Sequence, residues 1–545
     1  MQDFVKLVEQ ALGLESEGKS AAAVEVYRQA AALVPGHGLP FTKLSVAAAR
    51  RAWGPPPRPR PPAAADAPRV SMSRLGELGR FGNQLLQYAY LRSYAEAAGC
   101  GVEAGDWIGR DLFGLDDPLV SRPLPRLAEG AFDAAAALAP GSRPPPRVDL
   151  AGFFSLPTAV YAHRRDRLRA LFELQGSARA AIDGVWRRLD AEGRTLVAVH
   201  LRRGDFGYDQ FWIAPLRWYR EWLAAIWPQL DKPLLYVASD DASALQAFAE
   251  YAPVGLAMLG GLPPDLGFLG DFFVLSRAAA LAIANSSFSF VAAMLNTRAQ
   301  HVVRPDPAAC RLVDFDPWNA HPLLDPPWRL LAPPKQGETA AIAKLIGKDA
   351  VVFDVGAGRG TWSRHVQSHC RGAVRIFAFE PDPTQFGALS AFAEMSRPGG
   401  VTAVAAAVAA RPGMCILRLP QSIAVRCVAI DDFCREHGIG HIDFLRVDVD
   451  GAEREILEGC RGLLPQGIDC VQFAYSGRDG GSGLSDVVAL LQGQGYRLRK
   501  IDAELTDRVT GQEVAKDRQA ATYLAIHARL APQFDVGEPG PRRHG

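Results

Sequence analysis

The chain has almost no net charge, with 60 Lys and Arg against 59 Asp and Glu in 545 residues. A formal charge of +1 gives no global pull toward nucleic acid or an anionic membrane, so any anion site must be local. The basic segments are short and proline-spaced rather than gathered with aromatics, which argues against a nucleic-acid partner. Cysteine is scarce. There are eight, six of them from Cys370 onward and none in a Cys-x-x-Cys pair, which excludes a disulfide scaffold or a zinc cage and predicts buried thiols in a reducing cytoplasm. Long apolar runs are missing too: the stretch from Ala278 to Leu295 is broken by Asn285 and serines, short of the roughly 20 residues that cross a bilayer. The first ten residues carry acids where a secretory leader has a basic flank. The expected location is therefore cytoplasmic, at most peripheral at the inner membrane face, with no integral membrane segment.

What is there is ordinary globular composition, 48% hydrophobic and 22% charged, long enough for three or four domains. Repeated proline predicts a semi-rigid linker over 51–69, a second boundary falls at 331–337, and the Pro/Gly-rich, basic 531–545 reads as a disordered tail. Residues 1–50 show helical spacing in two runs, Phe4/Leu7/Val8/Ala11/Leu14 and Ala22/Val26/Ala30/Leu33, with Gly18 at the turn. This predicts a helical hairpin. Ala11, Gly18, Ala23, Tyr27, Ala30 and Pro35 make it resemble one tetratricopeptide repeat, and one repeat cannot bury its own face. It is either an arm for a protein partner or self-association, or a helical pair packed on the next domain.

Residues 70–330 carry three polar clusters at predicted strand ends. Gly79, Gly82 and Asn83 precede or open an amphipathic helix, allowing a phosphate to approach free backbone N–H groups. The apolar run from Thr195 delivers His200, Arg202, Arg203 and Asp205; paired guanidiniums suit a diphosphate, and Asp205 could orient an arginine or act as a base. The strand from Pro233 ends at Asp240, able to accept from a ribose or a guanine edge. Asn285, Ser286, Ser287 and Ser289 stand where a strand hands over to a helix. Gly79 to Ala89, Gly152 to Ser155, His200 to Asp205, Tyr236 to Asp240 and Ala284 to Ser289, in that order, resemble the motifs of glycosyltransferase family 11, the α-1,2-fucosyltransferases. The resemblance implies a GT-B-like pair of Rossmann-like halves and metal-free inverting transfer from GDP-fucose to a glycan or glycolipid acceptor. It implies Arg202 and Arg203 on the diphosphate, and His200 and Asp205 lining the cleft. Phe290 to Ala293, Phe153 and Ser155 depart from the family pattern, which leaves the acceptor open.

Residues 338–530 begin with a buried strand, a glycine turn and a helix start: Asp354, Gly356, Gly358 and Gly360 form Asp-x-Gly-x-Gly-x-Gly. An acid directly before the glycines suits the carboxypropyl end of S-adenosylmethionine better than a pyrophosphate. Glu380 ends the next strand, where it can accept from both ribose hydroxyls. A third strand ends in Asp448, Asp450 and Glu453, candidate bases for an acceptor hydroxyl, with Asp448 also beside the cofactor. Val351 to Ser363, Phe379 to Pro381, Ala429 to Cys434 and Asp443 to Glu453 resemble the FkbM methyltransferases. That implies a class I Rossmann-like fold, S-adenosylmethionine and O-methylation. No metal is expected. The α/β multidomain chain thus reads as a bifunctional glycan-modifying enzyme; the alternatives are a methyltransferase with a non-catalytic glycan-binding module, or a scaffold.

Overall fold

The computed structural model describes every residue except 1, 35, 36, 63, 65, 327, 329–335, 418–421, 450, 476–481, 502–504, 509–520 and 531–545. Asp450, Pro35, the expected tail and most of the expected 331–337 boundary thus lie outside the described residues. Contacts divide the chain into two compact α/β units. The first takes Met1–Asp205 and Ala214–Asp325; the second takes Phe206–Ile213 and the described residues from Pro326 onward. Among those residues no helix is long and apolar enough to cross a membrane.

The first unit starts with three helices rather than a hairpin: α1 Gln2–Ser16, α2 Ser20–Leu33 and α3 Gly38–Trp53. The third is what the two-run reading lacks. Its Leu44 joins Ala11, Ala23, Val26, Tyr27 and Ala30 in one apolar cluster, covering the face that a lone repeat leaves open. Thr42 Oγ1 donates to the Gly76 carbonyl at 2.5 Å, and Arg50 pairs with Asp106 at 2.6 Å, fixing the helix to the residues that follow.

Two parallel sheets carry the rest of this unit. Strands β1 Arg69–Met72, β2 Gly101–Ala104, β3 Arg126–Ala128 and β4 Asp149–Ala151 lie in the order β2-β1-β4-β3. Strands β5 Thr195–Leu201, β6 Pro233–Ser239, β7 Ala280–Ala282, β8 His301–Asp306 and β9 Arg311–Asp314 lie in the order β6-β5-β7-β8-β9, with only β9 antiparallel. In each sheet the chain goes out to one side of the first strand and returns to the other. That leaves switch points beside β1 and β5, where open α/β sheets hold ligands. Helix α4, Phe81–Ala98, is buried along nearly all its length, not amphipathic as the sequence suggests. Its buried amides are spent on the preceding turn: Gln84 donates to Thr42 Oγ1 at 2.7 Å and Gln87 to the Leu78 carbonyl at 2.7 Å.

The second unit is built on β10 Val351–Val355, β11 Arg375–Phe379 and β12 Val401–Val404, then β16 Ile442–Val447 and β17 Ile468–Tyr475, all parallel. Antiparallel β20 Ala521–His527, β18 Tyr496–Ile501 and β19 Leu505–Arg508 complete the order β12-β11-β10-β16-β17-β20-β18-β19. A small sheet of β13 Ala407–Val408, β14 Gly413–Leu417 and β15 Ile423–Val428 stands apart. The period-2 alternation explains the two cores: Phe353, Phe377, Leu445 and Val471 pack on one face, Val352, Ile376, Phe444 and Cys470 on the other. Complete burial of each such side chain stabilises by roughly 1.5–3 kcal/mol. The buried-thiol expectation holds for Cys370, Cys427, Cys434, Cys460 and Cys470, but Cys310 is exposed and Cys100 and Cys415 are half-buried. Cys310 sits on a turn, Cys415 on a short strand and Cys100 in the connection between α4 and β2.

Candidate active sites

At the C-terminal ends of β5 and β6 the sequence predicts a polar cluster, and the structure ties its members into one network. Arg202 pairs with Asp240 at 2.7 Å and also with Asp205. The Arg203 N–H donates to Asp240 at 2.8 Å, while its Nε lies 3.5 Å from Asp241. Arg80 pairs with Asp205 at 2.8 Å. Arg80 and Asp241 were not singled out from the sequence, although Arg80 stands inside the glycine motif between Gly79 and Gly82. Burial and the nearby Arg202 hold the Arg80 guanidinium below its ordinary pKa, with Asp205 acting the other way. Asp205 therefore has one oxygen on each of two arginines, the arrangement of a residue that orients them.

Arg203 has donors to spare. Its Nε and Nη1 are buried with no hydrogen-bond acceptor among the described residues. An unmet buried donor costs about 1–3 kcal/mol, and an oxyanion would remove that cost.

His200 is buried, and desolvation holds its pKa down to about 3. It is a neutral ring whose Nδ1 lies 2.8 Å from Ser289 Oγ, not a cation for a diphosphate. The two glycines also differ from expectation. Gly79, at φ 69°, packs on the Asn83 side chain, and Gly82 lies so close to the next helix that a Cβ would stand 2.6 Å from Phe288 N. Both close approaches are to protein rather than left open for a phosphate. Asn285 is similarly occupied, donating to the Leu324 carbonyl at 3.0 Å and accepting from Leu324 N–H at 2.8 Å. Ser286 caps the helix Ser287–Leu295 by accepting from Phe288 N–H. The structure thus gathers His200, Arg202, Arg203, Asp205 and Asp240, with Gly79, Gly82, Asn83, Asn285, Ser286 and Ser287 forming their supports.

One buried acid in this unit acts against His200. Asp271 accepts from Tyr236 Oη at 2.7 Å, yet burial pushes its carboxyl up to about 7. The folded chain then keeps a proton that the unfolded chain releases near its ordinary value of 3.8, so stability falls as pH rises from about 4 to about 7. His200 does the reverse: below about 6.5 the unfolded chain takes up a proton that the folded chain refuses, and stability falls with pH. Asp271→Asn removes the first slope. Urea unfolding should show the variant gaining stability relative to the unsubstituted chain between pH 5 and pH 8, by about 1 kcal/mol or more; an equal difference at both pH values would contradict the retained proton.

In the second unit the order of strands reverses beside β10, and the glycine turn follows it. Asp354 is fully buried, accepting from Arg446 Nη1 at 2.7 Å and from Ser363 Oγ at 2.6 Å. Arg446 bridges on to Asp448 and lies 5.4 Å from the Trp362 ring. Asp354 is therefore spent inside the protein rather than on a carboxypropyl group. Gly356, at φ 77°, lets the turn pass β16: a Cβ there would stand 2.1 Å from the Asp448 carbonyl. Gly358 and Gly360 also have positive φ, and Gly360 packs on Leu389.

Glu380 accepts from Gly358 N–H and Asp382 N–H, each at 2.8 Å. Each carboxylate oxygen then keeps a second lone pair, enough for two ribose hydroxyls. Burial raises the Glu380 pKa, the two N–H groups opposing it. Asp448 is accessible, its side chain 46% exposed, whereas Glu453 is buried and accepts from Gly451 N–H at 3.2 Å. Among the described residues one group has ligand atoms close enough for a metal, His441, Asp443 and Asp469, and it includes neither Asp448 nor Glu453. Its carboxylates are engaged at the opposite strand ends, Asp443 with Val351 N–H at 2.8 Å and Asp469 with Arg529 at 2.5 Å.

Residues 354–498 match the family model of the methyltransferase FkbM domain. No curated protein matches the chain. Among solved structures it is similar to an FkbM methyltransferase from Methylobacillus flagellatus, at 12% identity over 64% of this chain and 97% of that one, with a TM-score of 0.27. It is similar to the fucosyltransferase NodZ from Bradyrhizobium, at 15% identity over 48% of this chain and all of that one, with a TM-score of 0.30. Fibrillarin from Aeropyrum pernix, with natively bound S-adenosyl-L-methionine, matches at 16% identity over 35% of this chain and 75% of that one, with a TM-score of 0.23.

Proposed function

We propose that the chain is a glycan-modifying transferase with two chemistries: transfer of fucose or a related deoxyhexose from a GDP-sugar in the first unit, and O-methylation in the second. The methyl-transfer reading rests on the Glu380 carboxylate beside the glycine turn, supported by the family match. S-adenosylmethionine, when bound, supplies a methyl group on an activated sulfonium leaving group. The protein then has to hold the nucleoside, align an acceptor hydroxyl and take its proton. Glu380 and Gly356 to Gly360 would hold the cofactor, and Asp448, with Asp450 close by in the chain, would take the proton. Glu453 is better fitted to holding Gly451. Asp448→Asn should lower kcat for methylation by about ten- to a hundredfold while leaving S-adenosylhomocysteine binding intact; equal loss of both would make Asp448 a cofactor-binding residue only.

The glycosyl-transfer reading rests on Arg203, whose buried unmet donors call for an oxyanion. In this reading a GDP diphosphate takes them, Arg202 contributes its charge, and Asp205 and Arg80 fix the geometry. Departure of GDP is stabilised electrostatically while a glycan hydroxyl attacks behind the anomeric carbon. A second reading, methyltransferase with a non-catalytic glycan-binding module, is favoured by one observation: Arg80, Arg202 and Arg203 already face Asp205, Asp240 and Asp241, three charges against three. Calorimetry with GDP-fucose, GDP-mannose, UDP-glucose and S-adenosylhomocysteine separates the two. Two working sites require GDP-fucose binding that Arg203→Ala abolishes with S-adenosylhomocysteine binding unchanged. Binding of S-adenosylhomocysteine alone leaves the methyltransferase reading.

A further inference from the structure

A polar cavity in the first unit lies away from the arginine network at the ends of β5 and β6. It has a volume of about 430 Å³ and is walled by the end of α4, the start of β2, the segment around Arg164 to Leu171 and the proline-rich Arg60–Pro61. That volume suits a small organic ligand rather than a lone ion. The cavity sits at the N-terminal edge of its sheet. Arg69 and Gly101, the paired first residues of β1 and β2, line it, whereas the glycine motif follows the other end of β1. Strands of four residues separate those edges by roughly 10 Å or more.

The charges in the wall do not balance. Arg60, Arg69, Arg92, Arg164 and Arg167 face Glu96, Glu103 and Asp117, five cations against three anions, an excess of two that Asp116, paired with Arg60 at 3.2 Å from outside the wall, reduces to one. The pairs that form, Arg92 with Asp117 at 2.7 Å, Arg69 with Glu103 at 3.2 Å and Arg167 with Glu96 at 2.9 Å, use every carboxylate. Asp117 is further shared with Arg60 at 3.2 Å and with Tyr88. Arg164 is nine-tenths buried; its Nη1 donates to the Leu138 carbonyl at 3.1 Å, but its Nε makes no hydrogen bond among the described residues and stands 3.5 Å from Glu96. Planar guanidiniums in excess, one with an unmet buried donor, are the donor set for a phosphoryl group. The remaining wall mixes apolar Leu168, Leu171 and Val102 with carboxylates, which meets the C–H and hydroxyl faces of a sugar.

We propose that this cavity binds a phosphorylated sugar, with its phosphoryl group on Arg164 and Arg167 and its hydroxyls against the carboxylates. The site is separate from the proposed GDP-sugar site and does not depend on either transfer reaction. Calorimetry on the full chain with glucose 1-phosphate, glucose 6-phosphate, glucose and inorganic phosphate tests it. At least one sugar phosphate should bind saturably and at least tenfold tighter than inorganic phosphate, with glucose alone not binding. Arg164→Gln, and Arg167→Ala at the exposed rim where folding is not at stake, should each weaken it tenfold or more and leave S-adenosylhomocysteine binding unchanged. Absence of saturable sugar-phosphate binding, binding unaltered in Arg167→Ala, or displacement by GDP would each overturn the proposal. Inorganic phosphate binding as tightly as the sugar phosphates would overturn the sugar assignment.

Discussion

Arg446→Leu should lower the stability of the second unit by about 3–5 kcal/mol and remove S-adenosylhomocysteine binding. The reason is Asp354, fully buried, which among the described residues has only Arg446 for a counter-charge and Ser363 for a further hydrogen bond. Taking away the cation leaves a buried charge uncompensated, and that penalty exceeds what the pair contributes when intact. The other partner, Asp448, is 46% exposed, and a pair of that kind is worth about 0–1 kcal/mol. A double-mutant comparison separates the two. Asp354→Asn added to Arg446→Leu should recover most of the lost stability, because the buried charge is gone; Asp448→Asn added to it should recover almost none. Cofactor affinity should not return in either double variant, since the Asp354–Arg446 pair ties β10 to β16 where the glycine turn passes between them. Urea unfolding and calorimetry on the same four proteins supply both readings. Full stability in Arg446→Leu would show that Asp354 is solvated in solution and that the bridge is ornamental.

The glycine turn, Glu380 and the strand-end acids were legible because their signal is local: a β-branched run, then special backbone, then polar residues, all within about fifteen positions. Arg446 lies inside the Asp443 to Glu453 segment and still shows no role in the sequence, because its partner Asp354 is 92 positions away and only the parallel pairing of β10 with β16 brings the two together. Arg80 is the same case, 125 positions from Asp205. Asp354 reads in the sequence as a cofactor ligand, and Asp205 as a residue that either orients an arginine or acts as a base; the fold gives both to arginines. A carboxylate at a strand end looks alike in sequence whether it waits for a substrate or holds a side chain. Helix α3 was hidden for a different reason: Gly38 and Pro40 at its start, and buried Thr42 and Ser45 within it, weaken the apolar period, and those hydroxyls are tolerated because they bond to the Gly76 and Thr42 carbonyls.

Gly82→Val should disable the proposed donor site without touching any residue that would meet the donor. Gly82 is in helical conformation, so backbone strain is not at issue; the constraint is space. A Cβ would lie 2.6 Å from both Ser287 C and Phe288 N, and the obstructing atoms are backbone at the start of the helix Ser287–Leu295, which cannot turn aside as a long side chain would. A valine therefore drives α4 and that helix apart within a core that already includes Phe81, Phe272 and Phe288 in edge-on ring contact. Overpacking of this kind costs about 1–3 kcal/mol, and the clash with backbone puts Gly82→Val at the top of that range. The displacement has two consequences for chemistry. Arg80, two positions earlier, is carried off Asp205, so Asp205 loses one of the two arginines that fix it beside Arg202, and Ser289 moves from the buried His200 ring. GDP-fucose affinity should fall a hundredfold or more, and Arg80→Gln, which leaves the helices in place, should reproduce about a tenfold part of that fall. S-adenosylhomocysteine binding should survive both. Unchanged GDP-fucose affinity in Gly82→Val beside a measured loss of stability would mean that the helix contact serves the core alone and that the arginines are positioned from β5 and β6 without it.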